Sequence, residues 1–180
     1  EARKNLPWAV GSAVAYQAQW APAAMRLPEA HLFTKGAGVR VAILDTGVDL
    51  SHPALAGKLL PGYDFVDDDS NPSEVLCTPT PCTVAGLGYG HGTHVAGLIA
   101  LSAPLAKIVP YRVLDPNGEG NAWVLAEALY RAIDPDGNPA TDDGAHVINL
   151  SLGTQLRTRV LASIAKLFSC EPPDEADPLL

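Results

Sequence analysis

Three short stretches of this 180-residue chain hold the residue types from which acid–base chemistry is assembled. The first is Asp45, which directly follows the apolar run Val39–Leu44 and precedes Thr46-Gly47. That places a carboxylate at the C-terminal end of a strand, the edge that hosts sites in open α/β sheets. The same pattern also suits an Asp that caps a turn before glycine. The second is Gly88-Tyr-Gly-His91-Gly-Thr-His94-Val-Ala-Gly97, where glycines on both sides let the backbone bring an imidazole close to another group. A metal pair of His91 and His94 fits poorly, because helical zinc ligands stand four apart with a Glu between them. A phosphate cradle lacks the Lys-Ser/Thr of a P-loop. A third reading is His91 as a general base beside a helix start, with His94 packing or hydrogen-bonding one turn on. The third stretch is Val147-Ile-Asn-Leu-Ser151-Leu-Gly153, a strand end whose exposed backbone groups could pair with an extended peptide, or an ordinary strand terminus.

These residues need elements to position them. Val39–Leu44, Ile108–Leu114 and His146–Leu150 read as strands. His94–Leu101, Ala122–Ile133 (with Val124, Leu125, Ala128, Leu129 and Ala132 at helical spacing) and Leu156–Phe168 read as helices. Strands alternating with helices predict an α/β fold with parallel pairing through right-handed crossovers and helices on both sheet faces. Glycine and proline, 16 of each, fall between the apolar runs. Asp64–Thr83, Asp134–Gly144 and the acidic, proline-rich Glu171–Leu180 read as loops. Asp134, Asp136 and Asn138 invite a calcium-loop reading. An EF-hand, however, needs Gly at its sixth position and Glu at its twelfth, where this segment has neither, so a turn-rich insertion is expected.

Composition narrows the partners. Twelve basic against 20 acidic residues give a net charge of -8, which disfavours nucleic acid and anionic membranes. Apolar residues at 47% and charged residues at 18% suffice for a packed core, one domain or most of one. No apolar run approaches the roughly 18 to 20 residues of a membrane span; Leu6–Ala24 is interrupted by Pro7, Gln17, Gln19 and Pro22. The chain opens on Glu1 without a leader-like pattern and so reads as a processed or cut piece. Of three cysteines, Cys77 and Cys82 enclose Thr-Pro-Thr-Pro and either close a small ring or remain two unpaired small apolar residues. No metal site is expected from the cysteine spacing.

Taken together and in order, Leu44-Asp-Thr-Gly-Val-Asp49 with Ser51-His-Pro53, Gly90-His-Gly-Thr-His-Val-Ala-Gly97 and Val147-Ile-Asn-Leu-Ser-Leu-Gly153 closely resemble the subtilisin-like serine peptidases, the peptidase S8 family. Tyr111-Arg-Val-Leu-Asp115 and Asn117-Gly-Glu-Gly120 extend the likeness, which spans about Gln19 to Leu167. The order Asp, His, Ser is that family's triad arrangement. The resemblance implies a three-layer, doubly wound, mostly parallel sheet, incomplete at its C-terminal side, in residues 19–168. Residues 1–18 would be an N-terminal extension or propeptide remnant, and 169–180 an acidic tail. It implies His91 as the base that takes a serine proton and returns it to the leaving amine, and Asp45 as the acceptor of the other ring N–H. Gly118, Glu119 and Gly120 on one side, and Ser151, Leu152 and Gly153 on the other, would bind the main chain of a polypeptide substrate. Asn149 is expected to be a structural hydrogen-bonder. Secretion is implied by the family alone.

The chain also departs from that pattern. A Gly-Thr-Ser-Met-Ala nucleophile motif and the oxyanion-hole Asn are missing, and Ser163 and Ser169 lack a glycine-flanked turn. The expectation is an N-terminal part of a catalytic domain, inactive alone, whose serine lies outside the chain and whose missing C-terminal part is a potential partner. Ala54 stands where relatives carry a calcium-ligating carboxylate, so no cofactor is required and only weak calcium binding in the acidic loops is expected. Two other readings compete. One is an inactive fragment that grips extended peptides. The other is an aspartic peptidase using Asp45-Thr-Gly47 in a homodimer, which leaves His91 idle.

Overall fold

The computed structural model describes residues 20–76 and 88–153. Two short helices, α1 (Trp20–Ala24) and α2 (Leu27–Ala30), precede strand β1 (Arg40–Asp45). A 3-10 turn at Pro53–Leu55, strand β2 (Tyr63–Asp64), helix α3 (His91–Ser102), strand β3 (Lys107–Arg112), helix α4 (Ala122–Ile133) and strand β4 (Val147–Asn149) follow. The four strands form one sheet in the order β2-β3-β1-β4, every pair parallel. Parallel strands feeding helices that return across the sheet give the expected α/β fold.

Strand alternation sorts the core into two layers. Ile43 faces one way and joins Val48, Leu55, Val95, Ala96, Ala100 and Ile108, the last four bringing α3 and β3 onto that face. Ala42 and Leu44 face the other way and join Tyr111 of β3, Val113 just after it, and Ala126, Ala128, Leu129 and Ala132 of α4. A parallel sheet covered on both faces needs apolar residues at consecutive positions, which is why Val41 to Leu44 is an unbroken apolar run. Each such large side chain taken from water contributes about 1.5–3 kcal/mol.

Pro110 sits inside β3, opposite Ile43, where a proline removes a ladder donor. Ile108 N–H, two residues earlier, points away from β1 and donates to Lys58 O, so the nitrogen of Pro110 points the same way. On that side the approaching residue is Gly62, so close that a Cβ would meet Pro110 O. The missing donor is therefore accommodated just before β2 begins.

Two expectations are corrected. The helix read as His94–Leu101 begins a turn earlier, at His91, because Glu74, distant in sequence, accepts amides of its first turn, which periodicity does not register. The stretch read as a loop from Asp64 opens within β2, and Asp64 is buried rather than solvated because Arg112 pairs with it. The helix expected at 156–168, the tail, residues 1–18, Cys77, Cys82, Ser163 and Ser169 lie outside the described residues. The insertion at 134–144 is turn-rich as expected. Asn138 N–H donates to Asp134 and Asp136, Thr141 Oγ1 lies near Asp136 and Asp143, and Arg40 holds Asp142 and the Gly144 carbonyl.

Candidate active site

Asp45 is the last residue of β1 and shares the α3-facing side with Ile43. It is fully buried. Its Oδ1 accepts the N–H of Thr46 at 2.7 Å and lies 2.7 Å from Nδ1 of His91. His91 is the first residue of α3 and stays partly open, its side chain 43% exposed. A carboxylate can only accept, so this contact puts the imidazole proton on Nδ1 and leaves the Nε2 lone pair for other chemistry. Buried acid, oriented ring and accessible Nε2 together make a general base.

Two glycines permit the approach. Gly47 has φ 105° and backs onto Ser73, whose carbonyl oxygen would lie 2.7 Å from any Cβ. Gly92 runs against Gly47 and Asp45 with no room for a side chain. The Oγ1 of Thr46 accepts the Gly92 N–H at 3.1 Å and so pins the second residue of α3 to the residue after Asp45. His94 is exposed rather than packed.

The remaining residues of the first motif have structural tasks. Asp49 N–H donates to Thr93 Oγ1 at 2.8 Å. Its carboxylate accepts from Ser51 Oγ and N, which holds it below the usual carboxylate range. His52 Nδ1 accepts from Ala54 N and caps the 3-10 turn.

Around the pair, sheet order arranges the peptide-binding candidates. β3 and β4 flank β1 in parallel, with Asp45 opposite Arg112 and Ile43 opposite Asn149. Gly118–Gly120 and Ser151–Gly153 follow β3 and β4 and therefore leave the sheet at the same edge as Asp45, one segment on each side. Gly118, Glu119, Gly120, Ser151 and Gly153 are exposed and Leu152 is half-buried. Gly118 packs against Gly88, three residues before His91. Asn149 Nδ2 donates to Ser151 Oγ at 2.8 Å.

Sequence reasoning missed two features. Arg112, 2% exposed, is buried beside Asp64 at 2.6 Å and Asp67 at 2.5 Å. Burial works against its charge, but the two carboxylates outweigh that and lift its pKa above the ordinary value. Glu74, a lone acid in the loop after β2, reaches the first turn of α3. Its partners are remote in sequence, so no local pattern marked it. Elsewhere, carboxylate oxygens of Asp134, Asp136 and Asp143 come within 4.8 Å of one another. Among the described residues, no helix is long and apolar enough to cross a membrane.

With this geometry, residues 36–173 match the subtilase family, peptidase S8, and the chain belongs to that family. It is 39% identical over 145 residues to thermitase of Thermoactinomyces vulgaris, covering 75% of this chain and 44% of thermitase. It is 40% identical over 139 residues to a thermophilic serine proteinase of Bacillus sp. strain AK1, covering 71% of this chain and 29% of that protein. A solved protease structure from Pseudoalteromonas arctica superposes with a TM-score of 0.62 at 31% identity, over 78% of this chain and 49% of that one. The chain thus spans less than half the length of these relatives.

Proposed function

We propose that this chain carries the acid–base half of a serine endopeptidase site. The contact between Asp45 Oδ1 and His91 Nδ1, at 2.7 Å from strand end to helix start, is the observation that supports it. In this reading Nε2 of His91 takes the proton of a serine hydroxyl as it attacks the scissile carbonyl and then protonates the leaving amine. Asp45 holds the ring in the tautomer that can do so and stabilises the imidazolium formed in between. An extended polypeptide lies between residues 118–120 and 151–153, paired through its main chain. The serine and its oxyanion donor come from outside this chain, and the protein is secreted. The aspartic-peptidase alternative leaves unused the very imidazole that Asp45 contacts.

The test supplies the missing part. The 180-residue chain is mixed with a separately produced C-terminal segment of a subtilase that carries the Gly-Thr-Ser-Met-Ala motif. The expected result is peptide hydrolysis that is blocked by a serine-directed inhibitor, absent from either piece alone and lost in His91→Ala. Inhibitor-sensitive turnover by the chain alone, or turnover that survives His91→Ala, would overturn the proposal.

A further inference from the structure

Glu74 lies in the loop between β2 and α3, and its carboxylate is the point where that loop, the end of β1 and the start of α3 are tied together. Oε2 accepts the N–H of Gly90 at 2.7 Å. Oε1 accepts both the N–H and the hydroxyl of Thr93, each at 3.0 Å. Both oxygens lie 3.4 Å from Thr46 Oγ1.

The proton arithmetic of the two hydroxyls fixes the direction of these bonds. Thr46 Oγ1 already accepts from Gly92 N, and Thr93 Oγ1 already accepts from Asp49 N, so each hydroxyl has its single proton left to give. Glu74 is the carboxylate that receives both. The backbone tells the same story. A helix start leaves its first N–H groups without intrahelical partners, and the capping position here is Gly90, which has no side chain to supply one. Glu74 provides the acceptor instead, from 16 and 19 residues upstream. A carboxylate there is also favoured by the helix dipole.

His91 lies between Gly90 and Thr93, whose amides Glu74 holds, and Asp45 is the neighbour of the threonine whose hydroxyl it holds. The hydrogen-bond partners of Glu74 are Thr46, Gly90 and Thr93, not either member of the pair. We propose that Glu74 is a positioning residue that sets the 2.7 Å contact between Asp45 and His91 by clamping the start of α3 to the end of β1. This deepens, and rests on, the reading of Asp45 and His91 as an acid–base pair.

The test uses the full chain labelled with 15N-histidine and follows the His91 Nδ1 proton by NMR. Wild type is expected to show a strongly deshielded, slowly exchanging Nδ1–H. In Glu74→Ala that resonance is expected to be lost while circular dichroism retains the fold. Glu74→Gln, which keeps a neutral acceptor for Thr93, is expected to retain it with exchange faster by roughly tenfold or more, the effect of weakening a hydrogen bond to a charged group. Leu129→Ala removes a side chain buried in the opposite layer and controls for destabilisation alone; it is expected to lower the melting temperature yet keep the resonance. Should Glu74→Ala fail to fold, Glu74→Gln decides through the same proton and the amide exchange of Gly90 and Thr93. An Nδ1–H unchanged in shift and exchange in the folded Glu74 variants, or lost equally in Leu129→Ala, overturns the positioning role. Absence of a deshielded Nδ1–H in wild type instead overturns the acid–base pair itself, so the two failures are distinguishable.

Discussion

Gly92 runs so close beneath Gly47 that a Cβ on Gly92 would lie 2.1 Å from the Gly47 carbonyl oxygen and 3.1 Å from Asp45 Oδ1. Helix α3 and the turn after β1 are therefore in backbone contact at the position next to His91. Gly92→Ala has to push them apart, because the obstructing atom is backbone and cannot rotate away. The expected cost is about 1–3 kcal/mol, as for overpacking elsewhere, read from urea denaturation. The Nδ1 proton of His91 should lose its deshielding with it.

The two acids around Arg112 should respond very differently to removal. Asp64 is buried with the guanidinium, and its other oxygen also accepts the amides of Val66 and Asp67. Asp67 is 58% exposed. Asp64→Ala removes the buried partner and the acceptor of two amides, leaving the buried guanidinium only the exposed Asp67, and is expected to destabilise by about 3 kcal/mol. Asp67→Ala leaves the buried partner in place and should cost about 1 kcal/mol or less, in the range of exposed pairs. Chemical denaturation of both variants checks the ranking; equal losses would contradict it.

Alkaline stability should carry the mark of Tyr111. Burial raises its phenol above the ordinary 10.0, with Arg131 pulling the other way and Asp143 adding to the rise. The unfolded chain therefore releases this proton at a lower pH than the folded one. Stability from the neutral, buried phenol is complete below pH 10 and is lost as pH rises through the folded value. Tyr111→Phe abolishes that titration. It loses the 3.3 Å bond to the Arg131 carbonyl, a cost of about 1 kcal/mol, yet its melting temperature should fall less steeply above about pH 10 than that of wild type.

Helix α4 is capped locally, in contrast to α3. The Asn121 side chain accepts the amides of Trp123 and Val124 at 3.0 and 2.9 Å. Asn121→Ala is expected to cost about 1 kcal/mol, whereas Asn121→Asp should be neutral or slightly stabilising. Thermal melts of the two variants separate these outcomes.

The legible and illegible parts of the chain differ in how far apart the interacting residues stand. The apolar run before Asp45 and the amphipathic spacing of 122–133 are local patterns, and both elements fall where they are read, to within a residue. The meeting of Asp45 with His91 was legible through the likeness of their two motifs to the subtilisin-like peptidases; the glycines around His91 allow a close approach but name no partner. Glu74 offers no such mark. It is one acid among several in a proline-containing loop, and only the folded chain shows which amides it faces. Arg112 and Asp64 were likewise unreadable, since nothing in an acidic segment distinguishes the carboxylate that will be buried from its solvated neighbours. The two-residue β2 is too short to leave a period of its own.

Strand β1 sits in the middle of an all-parallel sheet, and its neighbours are the much later segments at Lys107–Arg112 and Val147–Asn149. It cannot form a single ladder bond to either until most of the described chain has been synthesised. Such remote pairing makes for slow folding. During that wait the Val41–Leu44 run is exposed, so the yield of native protein should depend on whatever shields this one segment in the nascent chain.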